Sequence, residues 1–230
     1  MEKIFKEILL SSVYDVAAIT PLDKANRLSD THNNEIFVKR EDMQPVFSFK
    51  IRGAYNRISR LTKEERENGV ICASAGNHAQ GVAYSCKKLG IKATIVMPCT
   101  TPNIKIDAVK SYGAEVILFG DSYSDAGIHC QELSKKTGAI YIHPFDDPLV
   151  IAGQGTIGKE ILEECAGVDA IFVPVGGGGL IAGIACYVKT LCPHVKIIGV
   201  EPDDSDAMHV SIQNGRNTVL EEVGIFAEGV

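Results

Sequence analysis

Two hydrophobic patterns alternate along the chain. Short apolar runs such as Val70-Ile71-Cys72-Ala73, Ala93-Thr94-Ile95-Val96-Met97 and Ala170-Ile171-Phe172-Val173-Pro174-Val175 are nearly free of polar residues. A run of that kind reads as a strand covered on both faces. Between the runs lie longer stretches whose apolar residues recur every three or four positions, the period of a helix with one buried stripe. The pattern predicts helices over 3–14, 48–61, 77–89, 103–112, 122–137, 155–165 and 179–190. It predicts strands over 35–40, 70–73, 93–97, 114–118, 139–142, 170–175 and 195–200. Residues 201–218 are polar and turn-rich, with a short helix expected at 206–213. Short buried strands, each followed by a helix, specify an α/β architecture with parallel sheets and right-handed crossovers. Ligands of such sheets sit beyond the carboxyl ends of the strands, so the loops after strands are where chemistry is to be sought.

Composition narrows the partners. A hydrophobic share of 45% with 23% charged residues is that of a folded protein, and 230 residues allow one large or two small domains. A net charge of −6 gives no general attraction for nucleic acid, which leaves small molecules and other protein chains as partners. No apolar run reaches the roughly 18 residues a membrane helix needs, so no membrane partner is expected. The start, Met1-Glu2-Lys3-Ile4-Phe5-Lys6-Glu7, has neither an apolar signal core nor an arginine run. The expected compartment is the cytoplasm, or an organelle interior if a leader has been removed. Cysteines at 72, 86, 99, 130, 165, 186 and 192 show no CxxC spacing and are expected as reduced thiols, most of them small core residues. No metal site is expected.

Three segments carry candidate chemistry. Ser74-Ala75-Gly76-Asn77-His78-Ala79-Gln80-Gly81 follows a strand and opens a helix. Its small residues admit a ligand close to the backbone, and free N–H groups at a helix start favour an anion. A capped helix with a glycine easing the turn explains the same letters, and His78 alone reads as a packed first-turn residue. Gly176-Gly177-Gly178-Gly179 lies on another strand-to-helix junction. Successive N–H groups there can point into one concavity, for which phosphate is the natural guest, unless the segment is only a flexible junction. It is neither a Walker A loop nor a dinucleotide fingerprint. In Ser48-Phe49-Lys50-Ile51-Arg52-Gly53, Ser48 is placed to cap a helix with Lys50 in its first turn. A cation is out of place at a helix N-terminus, whereas a neutral, imine-forming lysine suits it; the plain alternative is a solvated surface lysine. Taken together, an amine for an aldehyde, glycines for a phosphate and an amide for a ring hydroxyl match pyridoxal 5′-phosphate part for part.

At these residues the sequence resembles the fold type II pyridoxal-phosphate enzymes (tryptophan synthase β-like), and within them the biosynthetic threonine dehydratases. The resemblance lies in residues 41–56 around Lys50, in 74–81, in Val173-Pro174-Val175 with the four glycines, in Ile151-Ala152-Gly153-Gln154-Gly155-Thr156, and in Phe226-Ala227-Glu228-Gly229-Val230. It implies two α/β lobes with parallel-type sheets covered by helices and the cofactor between them. The larger lobe would be 1–52 with 147–230, the smaller 53–146. Lys50 is implied as the catalytic, cofactor-bound lysine, with Phe49 beside it. Asn77 is implied on the ring hydroxyl, and Gly176, Gly177, Gly178, Gly179 and the backbone of Leu180 on the phosphate. The loop Ser74, Ala75, Gly76, Asn77 and His78 is implied to take the substrate carboxylate.

The activity implied is deamination of L-threonine to 2-oxobutanoate and ammonia, the first step of isoleucine biosynthesis, with L-serine as the neighbouring substrate and a homo-oligomer as the assembly. The alternatives are a catabolic serine/threonine dehydratase, a serine racemase, or a truncated chain that binds the cofactor or dimerises without turnover. The family's catalytic region continues past the position of Val230, and its hydroxyl residue at the pyridine nitrogen falls there. The larger lobe is therefore expected to be incomplete, leaving sheet edge and apolar area exposed.

Overall fold

The structure, a computed structural model, describes residues 1–220 together with Val223, Gly224 and Ala227. Phe226, Glu228, Gly229 and Val230 of the matched terminal segment lie outside the described residues. The order of elements is α1 (Glu2–Leu9), β1 (Leu22–Lys24), α2 (Asn26–His32), β2 (Phe37–Lys39), α3 (Lys50–Ile58), α4 (Lys63–Asn68), β3 (Val70–Ala73), α5 (Asn77–Leu89), β4 (Ala93–Met97) and α6 (Asn103–Ser111). There follow β5 (Glu115–Leu118), α7 (Tyr123–Thr137), β6 (Ile140–Tyr141), α8 (Pro148–Glu164), β7 (Ala170–Pro174), α9 (Gly179–Leu191), β8 (Lys196–Val200) and α10 (Ala207–Asn214).

A four-stranded parallel sheet runs β5-β4-β3-β6. Every residue of β3 is buried, and the pleat divides them between two cores. Val70 and Cys72 join Ala79, Val82, Ile106 and Val109 of α5 and α6 on one face, while Ile71 and Ala73 meet Ala126 and Cys130 of α7 on the other. The unbroken apolar run is thus explained by helices on both faces. Strands β7 and β8 form a separate parallel pair. Ile171 and Val173 pack on α8 and α9, but Phe172 is 67% exposed, so this pair is covered on one face only among the described residues. β1 and β2 pair antiparallel, a departure from the all-parallel expectation.

Helices α3, α8 and α9 cross at glycines. A Cβ on Gly153 would lie 2.6 Å from the Arg52 carbonyl oxygen and 2.7 Å from Gly53 Cα, and one on Gly183 would overlap the Ile151 carbonyl oxygen. The neighbours are backbone and cannot step aside, which is the physical content of the Ile-Ala-Gly-Gln-Gly-Thr segment. Gly153→Ala is accordingly expected to destabilise the chain by about 1–3 kcal/mol, as overpacking does. Gly127→Ala, facing open space within α7, is expected to gain about 0.5–1 kcal/mol. Urea melts of the two variants check the pair.

The sequence reading departs from the structure in several further places. The helix expected over 3–14 stops at Leu9, because Ser11 and Ser12 turn to hydrogen-bond Asn56 on α3 and Ser59 at its C-terminal cap; a separate 3-10 turn covers Val13–Asp15. The helix expected over 155–165 begins at Pro148, where Asp147 accepts from the N–H groups of Leu149 and Val150. Helix α4 is missed, although its Thr62/Glu65 capping box is written in the sequence. Helix α2 and strand β1 are missed because they are short and mostly exposed. All seven cysteines are free thiols, four of them buried.

Candidate functional site

Lys50 opens α3 with Phe49 as the N-cap, and its N–H donates to Ser48 Oγ at 3.2 Å. Ser48 is therefore not the N-cap expected from the sequence; it lies one residue outside it and accepts from the first helical N–H. Lys50 Nζ donates to the Pro144 carbonyl at 3.1 Å and stands 5.3 Å from the Phe49 ring centre. Burial of the side chain pushes its pKa down to about 8. Gln154 of α8, itself buried, accepts from Gly53 N–H in the same first turn and fixes it.

The tetraglycine turn leaves β7 and enters α9. Gly178 is the N-cap of α9 at φ 83°, a left-handed conformation that a side chain would strain, and among the described residues no side chain caps the helix. Lys50, Phe49, Gly176, Gly177, Gly178, Gly179 and Leu180 line one cavity of about 80 Å³, together with Pro144, Phe145, Gln154 and Pro174. The N-termini of α3 and α9 and the Lys50 amine all face this space. A helix N-terminus favours an anion, and here an amine stands beside two of them.

The structure does not bring every candidate to that cavity. Ser74, Ala75, Gly76, Asn77 and His78 are outside its lining. Ser74 Oγ accepts from Gly76 N–H at 3.2 Å in a tight turn, a Cβ on Gly76 would meet nothing, and Asn77 is exposed. His78 is buried, and its Nε2–H donates to the Ile142 carbonyl at 3.0 Å. Burial first, and the Lys50 charge second, push its pKa down to about 3. The ring is therefore neutral and already engaged, as the packed-residue reading has it. The start of α5 nonetheless abuts the lysine helix, since a Cβ on Gly81 would lie 3.1 Å from the Lys50 carbonyl.

Pro144, Phe145, Gln154 and Pro174 were not singled out from the sequence as site residues. A signal for the first two was present, since they lie in the loop after β6, where a parallel sheet places ligands. The Phe145 ring lies where a Cβ on Gly177 would point, and its backbone is 2.8 Å from where one on Gly179 would point.

The family of pyridoxal-phosphate dependent enzymes matches residues 13–230. Threonine dehydratase 1 biosynthetic, chloroplastic, of Solanum lycopersicum is 56% identical over 224 residues, covering 97% of this chain and 37% of that protein. L-threonine dehydratase biosynthetic IlvA of Burkholderia multivorans is 54% identical over 228 residues, covering 97% and 45%. The chain thus spans less than half the length of these curated relatives. Among solved structures, the processed form of threonine deaminase isoform 2 from Solanum lycopersicum superposes with a TM-score of 0.97 at 53% identity, over 99% of this chain and 63% of that one. Maize serine racemase gives 0.94 at 34% identity, over 99% and 69%.

Proposed function

The chain belongs to the pyridoxal-phosphate-dependent enzyme family, and from that premise we propose that it carries the cofactor lysine and phosphate loop of a lyase deaminating L-threonine to 2-oxobutanoate and ammonia, the entry step of isoleucine synthesis. The observation that carries this reading is that Lys50 and the four glycines, far apart in sequence, line one cavity. The residues present fit the cofactor. Lys50 is a half-buried amine of lowered pKa suited to an aldehyde, and the uncapped N-terminus of α9 offers backbone N–H groups to a phosphate. The identity to threonine dehydratases exceeds that to serine racemase, which supports threonine over the racemase alternative.

In this reading the glycine turn and Leu180 N–H anchor the phosphate, and Phe49 packs beside the amine. Asn77 is assigned to the ring hydroxyl. The backbone of the 74–78 loop takes the substrate carboxylate, the His78 ring being engaged elsewhere. Lys50 Nζ would hold the cofactor aldehyde and, as a free amine, would take the proton from the substrate α-carbon. With a pKa near 8, roughly a tenth of it is neutral at pH 7. The bound cofactor supplies an electron sink for the pair left on that carbon.

The proposal extends to the architecture. Residues 1–52 with 147–230 form one lobe and 53–146 the other, a division supported by β3 to β6 falling wholly within the second range and β7 and β8 within the first. It includes a homo-oligomer as the assembly. No described helix is long and apolar enough to cross a membrane; the compartment proposed is the cytoplasm or an organelle interior. The test is titration of the purified chain with pyridoxal phosphate, followed by absorption, then assay of 2-oxobutanoate from L-threonine and of pyruvate and D-serine from L-serine. A shifted absorption band and 2-oxobutanoate are expected. A band without product leaves only the non-catalytic alternative, D-serine favours a racemase, and no band at all sinks the reading.

A further inference from the structure

The loop between β6 and α8 touches both halves of the cavity. Its Pro144 carbonyl accepts from Lys50 Nζ at 3.1 Å, and Phe145 lies against Gly177 and Gly179. At its root, Ile142 O accepts from His78, and at its far end Asp147 caps α8 and pairs with Arg57 at 3.0 Å. Between these ends the backbone must fold back sharply, and one side chain holds it. His143 Nδ1 accepts from Phe145 N–H at 3.2 Å and from Asp146 N–H at 2.7 Å. The ring is steadied edge-on between Tyr141, at 6.0 Å, and Phe145, at 4.6 Å.

We infer that His143 is a positioning residue, whose unprotonated Nδ1 folds residues 143–146 so that Pro144 O meets Lys50 and Phe145 backs the glycine turn. Two backbone N–H groups converge on Nδ1, so the neutral ring carries its proton on Nε2. Protonation would place a third N–H against the other two and release the turn. The charged and titratable groups around the ring are Asp146 and Asp147 on its own loop, Lys50 on α3, His78 on α5 and Tyr141 on β6. Burial first, with Lys50 adding, lowers the His143 pKa against the opposing pull of the two aspartates. The folded site therefore favours the neutral ring, and the turn is lost as pH falls below the ordinary histidine range near 6.5.

The inference rests on the cofactor reading above for its effect on binding, but the geometry can be tested without it. In the cofactor-free chain, amide hydrogen exchange at Phe145 and Asp146 is expected to be slow in the wild type and in His143→Asn, whose Oδ1 can replace Nδ1 as acceptor. It is expected to be at least tenfold faster in His143→Ala and His143→Gln. Pyridoxal phosphate titrations should then show His143→Asn within about threefold of wild type and the other two weakened about tenfold or more, the scale of one lost hydrogen bond to an anchored group. The wild type should lose affinity below the histidine range more steeply than His143→Asn. Equal exchange rates in all four chains would overturn the inference. So would unaltered cofactor affinity in the Ala and Gln variants, or an identical acid limb in the Asn variant. If the wild type binds no cofactor while the exchange pattern holds, the cofactor reading fails and the fold role of His143 stands.

Discussion

Lys50→Ala is expected to abolish covalent attachment of pyridoxal phosphate and to lower threonine turnover by about three powers of ten or more. In the proposed reading one atom serves twice: Lys50 Nζ would be both the amine that meets the aldehyde and the base that takes the α-proton. The fold should survive, since among the described residues the amine gives up one hydrogen bond, to Pro144 O. Borohydride reduction of the loaded wild type followed by peptide mapping checks the assignment; labelling of any other lysine would sink it. A second substitution separates chemistry from stability. Burial lowers the Lys50 pKa from 10.5 to about 8, and at about 1.4 kcal/mol for each pH unit the folded chain bears up to about 3 kcal/mol for keeping that charge. Because the folded pKa is the depressed one, stability rises between pH 8 and 10.5 and is lost as pH falls through 8. Lys50→Met, which keeps most of the volume, should therefore melt higher than the cofactor-free wild type at pH 7. It should also lack the alkaline rise. The expected gain is below the full figure, because the bond to Pro144 O is given up with the charge.

Why some of this was legible in the sequence follows from what each residue does. β3 and α5 are read to the residue because a fully apolar run and a helix ended by Gly90 leave no competing pattern. The glycine turn and Lys50 are legible because glycines at a junction and a cation at a helix start conflict with ordinary propensity, and such conflicts mark sites. The first half of α8 is obscured by the same device that makes it work: Gly153 and Gly155 are poor helix formers placed there for the crossing with α3 and α9. Arg52 illustrates the opposite failure. Arginine is a residue type rarely buried, yet Arg52 is fully buried, pairing with Glu160 through both its terminal nitrogens and with Glu41, while Lys39 also reaches Glu160 at 2.9 Å. Burial pulls its pKa down and the carboxylates raise it further, so the net direction is up. Charges brought together from β2, the turn before Gln44, α3 and α8 leave no local periodic mark, because compensation is a property of the tertiary structure. His143 escaped notice for a similar reason: its partners are backbone N–H groups, which have no letter in the sequence.

Gly177→Ala is expected to weaken pyridoxal phosphate binding about tenfold or more while changing the cofactor-free melting temperature little. From the sequence alone, a side chain here is expected to intrude on the phosphate itself. The structure gives a different cause: the added Cβ would overlap the Phe145 ring, which lines the same cavity. Gly177 is exposed and the ring is half-buried, so the ring can swing away at modest cost in stability. Swinging away drags the 143–146 turn, and with it the carbonyl that holds Lys50 Nζ. Each charge-assisted hydrogen bond to the phosphate that is misaligned costs about 1.5–3 kcal/mol, hence the tenfold scale. A double-mutant cycle decides between the two causes. If the collision with the ring is responsible, Gly177→Ala adds little once Phe145→Ala has removed the ring. If the Cβ blocks the phosphate directly, the double variant binds about tenfold more weakly than Phe145→Ala alone. Gly178→Ala supplies the contrast within the same turn. Among the described residues its Cβ would meet only the flexible end of Met208, at 2.8 Å, but the residue sits at φ 83°. Strain of about 1–2 kcal/mol is then expected in the cofactor-free melt as well, and removal of the Phe145 ring should not relieve it.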